Sequence, residues 1–234
     1  YYIGVLKESK LVNSVIPDIN NNNDTDDKFG IVVFNSTSDG WLAYVDLDGD
    51  GNIDDEQALW NYKDKFQFFQ FRGRNAERSR NLVNFALNIF PAENRVNFHF
   101  DGNGHGSHCA GIAAGYKING ETGLNGVAPG AKLISLKIGD GSLSGGATVT
   151  GSMISAYEYG VEFAKNYDGP VVFSMSYGVG SEIEGMADMD LMLDDLSVQN
   201  EDLLFVTSAG NEGPGISTVG LPAAAKHVLT VGAI

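Results

Sequence analysis

The sequence predicts an α/β fold in which a parallel sheet with helices on both faces (residues 100–234) follows a mostly β region (residues 1–99). From about residue 105, brief apolar runs alternate with segments of helical spacing, the pattern of a parallel sheet connected by helices. Upstream, short aromatic and apolar runs separated by turn residues read as antiparallel hairpins. The composition changes near residue 100, from Asn-rich and aromatic to rich in Gly, Ala and Val.

Along the first region, Asp18 to Asp27 (DINNNNDTDD) is too polar to bury much surface and is expected to be a mobile loop. Ile31–Phe34, Trp41–Val45 and Phe66–Phe71 are the expected hairpin strands, with a short helix at Ala76–Ala86. In the second region Leu133–Ile138, Val171–Ser176, Leu203–Ser208 and His227–Ala233 suit strands buried on both faces. Ala147–Lys165 and Glu184–Val198 have helical spacing; Val149, Met153, Ala156, Tyr157, Val161 and Ala164 recur at three and four.

With 43% apolar residues and 30 Gly against 6 Pro, the 234-residue chain is a folded one with many tight turns, not disordered, collagenous or a coiled coil. Its 15 basic and 30 acidic residues give a net charge of −15, which repels phosphate backbones and anionic lipid. Neither nucleic acid nor a membrane is an expected partner, and no apolar run approaches the roughly 18 residues of a membrane span. Cys109 is the sole cysteine, so no intrachain disulfide forms. The opening Tyr1-Tyr2-Ile3 has no basic leader and reads as internal to a longer chain.

The segment with most chemistry in it is Asp101 to Gly115. His105 lies between glycines at the start of a small-residue helix, a rigid position open on one side, as a general base requires. With His108 it could instead form part of a metal site, or both could be ordinary polar residues of a helix start. Asn211, in SAGNEGP, follows an apolar strand and is flanked by turn residues. Its amide can donate to a developing oxyanion at the carboxyl end of a parallel sheet. It could also be a turn Asn that tolerates left-handed backbone.

Taken together and in order, GHGSHCAGIAAG, GVAPGAKLISLKI, VVFSMSYG, SAGNEGP and LPAAAKHVLTVGAI resemble the subtilisin-like serine peptidases, the subtilases. The resemblance covers about residues 100–234 and implies a subtilisin-like sheet. It also implies hydrolysis of peptide bonds by a Ser-His-Asp triad, with protein or peptide as substrate. His105 would be the base and Asn211 the oxyanion donor, while Ser176, Tyr177 and Gly178 would pair with the substrate backbone. These triad and oxyanion roles are general properties of the family. No cofactor is required, and the family favours an extracellular or secreted location.

The family's nucleophile lies in a G-T-S-M-A segment after a strand like VGAI, and no such segment occurs in residues 1–234. These residues alone are therefore expected to be inactive. Gly151-Ser152-Met153 imitates part of the motif but precedes SAGN and falls mid-way along an expected surface helix. Asp46 could be the triad carboxylate, yet the sequence after it is Leu47-Asp48-Gly49, not the expected T-G. The preferred reading makes residues 1–99 a β-rich insert between triad Asp and His, similar to that of subtilases resembling tripeptidyl peptidase II. A catalytically inactive peptide-binding module of the same fold is the alternative.

Asp46, Asp48 and Asp50, with Gly51 and Ile53, match the opening of an EF-hand-like calcium loop. The match ends at Gln57, where a Glu is expected, so a hairpin turn carrying solvated acids is the competing reading, and a calcium-dependent interaction domain is a third function class. Cys109 reads as a packing residue facing away from substrate, with mercurial sensitivity expected from its nearness to His105. Glu182–Asp202 reads as a solvated helix face with Met and Leu turned to the core, though a metal or a basic partner could use it.

Overall fold

The structure is a computed structural model, and it describes residues 1–73, 83–140, 148–180 and 183–233. The chain forms two compact units, Tyr1–Val149 and Thr150–Ile234.

The first unit is built on β-structure. Strands β1 (Tyr2–Lys7), β2 (Lys28–Ser36) and β3 (Gly40–Val45) form an antiparallel sheet in that order, and β4 (Ala86–Phe90) pairs with β5 (Arg95–His99) as a second hairpin. Along β2, Phe29, Ile31 and Val33 alternate inward as the period of a half-buried strand requires. They meet Ala43, Val45, Phe69, Phe71, Phe85 and Leu87 in one core. Its rings pack edge to face and offset; Phe71 and Phe85 stand at 86° with centroids 5.1 Å apart.

Three expectations change here. Phe66–Phe71 is not a strand from its start: Phe66 ends the short helix α1 (Tyr62–Lys65) in the left-handed conformation. Phe69 alone bridges to Phe85, with Phe69 and Phe71 buried on either side of Gln70. Most of the helix expected at Ala76–Ala86 lies outside the described residues; its end is extended, because Phe85, Leu87 and Ile89 alternate into the core. The loop Asp18–Asp27 is anchored, not loose. Ile19 enters the core and its N–H donates to the buried Glu8 carboxylate (2.7 Å), while Asp18 and the Asn side chains satisfy the loop's own N–H groups.

Leu133–Ile138 is also not a strand. Leu133 and Ile134 are 60% and 47% exposed, and among the described residues of its unit no strand offers the segment a ladder. A parallel strand without paired neighbours has nowhere to place its backbone hydrogen bonds.

The second unit holds the parallel sheet: β6 (Val171–Met175), β7 (Leu203–Ser208) and β8 (Leu229–Val231), in that order, with helix α3 (Thr150–Lys165) before β6 and helix α4 (Asp188–Gln199) between β6 and β7. Helix α3 approaches closely at Gly160, where a Cβ would overlap the Phe173 ring. Tyr157 of α3 packs on Phe173 and Phe205, which stack across the β6–β7 register. On the opposite face Val172, Leu204, Leu229 and Val231 are exposed. Ser152 lies in the first turn of α3, not mid-helix, and is half-buried.

Candidate active site

Helix α2 (His105–Ala114) begins at His105, and the turn before it is organised by one side chain that the sequence left without a role. Asp101 accepts the N–H groups of Asn103 (3.4 Å) and Gly104 (2.9 Å) on one oxygen and that of Ser107 (2.8 Å) on the other. Burial by itself would raise its pKa. The Ser107 hydroxyl and the N–H groups of Ser107, Gly104 and Asn103 outweigh that and hold the carboxyl below its ordinary value. The N-cap is Gly104, at φ 78° and without a side chain, so Asp101 does the capping, and its charge suits the helix N-terminus. The readable signal was an Asp just ahead of a Gly-flanked helix start.

His105 is exposed, and its N–H donates to Asn103 Oδ1 (2.9 Å). One turn along, Cys109 Sγ lies 3.6 Å from His105 Nε2, so the thiol stands beside the imidazole rather than simply packing. At the far end of α2, the N–H groups of Gly126, Val127 and Ala128 donate to the carbonyls of Gly115, Ile112 and Ala113. These are terminal acceptors that the helix itself leaves open. Gly126 is required there: a Cβ would lie 2.6 Å from Gly111 O and from Gly115 N.

In the second unit Ser176, Tyr177 and Gly178 follow directly on β6, with Ser176 and Gly178 exposed. Val179 then exchanges backbone hydrogen bonds with Leu221 (3.2 and 2.7 Å). Asn211, exposed, sits in the turn after β7, where Gly210 has φ 100° and the Glu212 carboxylate accepts the Asn211 N–H (2.9 Å). Gly220 N–H donates to Ala209 O (3.4 Å), so the strap Gly220–Ala225 carries both the Asn211 turn and the end of the Ser176–Gly178 edge.

The carboxylates of Asp46, Asp48 and Asp50 converge, one oxygen of each lying within 4.8 Å of the others, with Asp46 buried, Asp48 half-buried and Asp50 exposed. Asp46 accepts the N–H groups of Asp50 (3.1 Å) and Gly51 (3.0 Å), folding the loop tightly around itself. Oxygen donors of this kind suit calcium. Glu56 does not complete a twelfth-position carboxylate: it takes the Leu47 N–H (2.7 Å) and lies 3.6 Å from Arg72. Burial, the dominant influence, raises its pKa.

The same arrangement recurs in Asp18–Asp26. Asp18 accepts from Asn22 and Asn23, Asn22 from Asp24 and Asp24 from Asp26, and Glu8 takes the Ile19 N–H as Glu56 takes that of Leu47. Asn21 and Asn23 occupy the left-handed positions that Gly49 and Gly51 hold in the other loop. Asn in place of Asp and Gly hid this likeness in the sequence.

A parallel α/β sheet with an Asn turn at its strand ends, and a Gly-flanked His opening a helix, mark a subtilisin-type peptidase fold. Residues 17–234 match the model described as the subtilase family, and the chain belongs to that family. It is 31% identical to pyrolysin of Pyrococcus furiosus over 100% of this chain and 18% of that protein. It is 34% identical to tripeptidyl-peptidase 2 of Oryza sativa subsp. japonica over 89% of this chain and 15% of that protein. The chain thus spans less than a fifth of these relatives. The crystal structure of tripeptidyl peptidase 2 (TPP II) superposes on 98% of this chain and 22% of its own with a TM-score of 0.72, at 20% identity, a likeness of fold.

Proposed function

We propose that residues 1–234 are part of the catalytic domain of a serine endopeptidase. His105 serves as the base of a Ser-His-Asp triad and Asn211 as the oxyanion donor. Residues 1–99 are then an insert between triad Asp and His. The triad serine comes from a segment of the G-T-S-M-A kind, which these residues do not contain. The observation that carries the reading is His105 at the first position of α2, on an entrance fixed by Asp101. Peptide substrate pairs with Ser176–Gly178. The serine attacks the carbonyl carbon, and His105 takes its proton and later gives it to the leaving amine. The Asn211 amide and a backbone N–H stabilise the oxyanion. Full-length protein should cleave an N-terminally blocked peptide internally, and His105→Ala should abolish this. Release of tripeptides only, with blocked peptides untouched, would show the action for which the rice relative is named.

We further propose that Asp46, Asp48 and Asp50 take calcium as a structural ion. The convergence of three carboxylates in one tight loop supports it. No step of the reaction runs through the ion.

A further inference from the structure

Helix α4 was expected to keep its acids in solvent, yet Asp190 is fully buried, with 0% exposure. Its Oδ2 accepts the Gly185 N–H (3.0 Å), and Oδ1 is buried without a hydrogen-bond partner among the described residues. Burial raises its pKa, the bond from Gly185 acts against that, and Asp194 adds to it. A helix N-terminus is capped adequately by an exposed acid, and Asp188 stands in the same first turn. An orphaned carboxyl oxygen in the interior is costly and calls for a further role.

That role lies in what Gly185 touches. Gly185 has φ 73°, and a Cβ on it would come within 3.1 Å of Ala224 O. Ala224 belongs to the strap Gly220–Ala225, whose Ala223 and Ala225 are buried and whose Leu221 pairs with Val179, the residue after Ser176–Gly178. Gly220 presses on the same residue; a Cβ there would lie 2.9 Å from Val179 O. We propose that Asp190 is a positioning residue for the substrate-binding edge: by holding Gly185 it seats the strap that fixes Ser176–Gly178. This rests on the reading of that edge as the peptide-binding one.

The test is steady-state kinetics of the full-length protein on a blocked peptide. Asp190→Ala should raise KM roughly tenfold, the loss of one buried hydrogen-bonded anchor, with kcat within about twofold. Asp190→Asn, which keeps an acceptor for Gly185, should restore KM. Gly185→Ala, which leaves the carboxyl in place and obstructs the strap, should raise KM as Asp190→Ala does, and it decides the matter if the latter fails to fold. A lowered thermal midpoint with KM unmoved in Asp190→Ala and Gly185→Ala would reduce Asp190 to a helix cap and overturn the inference alone. Wild-type protein without peptidase activity would overturn the peptidase reading and the inference with it.

Discussion

Asp101 shows how much a single carboxylate can organise. Replacing it by Ala should cost about 1 kcal/mol of stability, the usual price of a lost cap. Because its folded pKa is depressed, the stabilisation is present above the unfolded value of about 4 and is lost as pH falls through the folded one. Denaturant unfolding of wild type and Asp101→Ala across that range should therefore converge at acid pH, and a constant gap would mean that the carboxylate is not the cause. Cys109 sets a second test. With Sγ 3.6 Å from His105 Nε2, a mercurial on the thiol should block the imidazole and inhibit the full-length protein, while Cys109→Ala should resist. Equal inhibition of both would place the reactive group elsewhere.

Among the elements, α2 and the segment that closes its last turn form one packed piece. Gly126→Ala would drive a Cβ against Gly111 O and the N of Ala114 and Gly115, all backbone atoms that cannot turn aside. Overpacking of this kind costs about 1–3 kcal/mol or more, measurable as a fall in the denaturant midpoint. The acidic loop at Asp46–Asp50 should raise the thermal midpoint when calcium is added, and Asp48→Asn with Asp50→Asn should remove the rise; no shift in wild type would end the calcium proposal. The strand positions were legible in the sequence, since Leu203–Ser208 has the predicted bounds and Val171–Met175 differs by one residue, but the expected burial on both faces is not met: Val172 and Leu204 are exposed. That Leu133–Ile138 is not a strand was not legible, because an apolar run cannot say whether a ladder partner exists. The Asp18–Asp27 loop was misread because its order comes from Asx hydrogen bonds and the buried Glu8, and composition records neither.

At the scale of the whole molecule, the subtilase fold and the positions of His105 and Asn211 could be read from motif order, since each motif lies where a helix starts or a strand ends. Asp190 could not, and Asp101 left only the signal of an Asp just ahead of a Gly-flanked helix start. Their importance depends on backbone N–H groups brought to them by folding, through turns that leave no fixed spacing in the sequence. The central claim is that His105 activates a serine nucleophile, and labelling the full-length protein with a fluorophosphonate tests it most directly. Mass spectrometry should find the label on a serine of a G-T-S-M-A-type segment, and the His105→Ala protein should stay unlabelled. Label on Ser152, or labelling unchanged in His105→Ala, would contradict the assignment of His105 as the base.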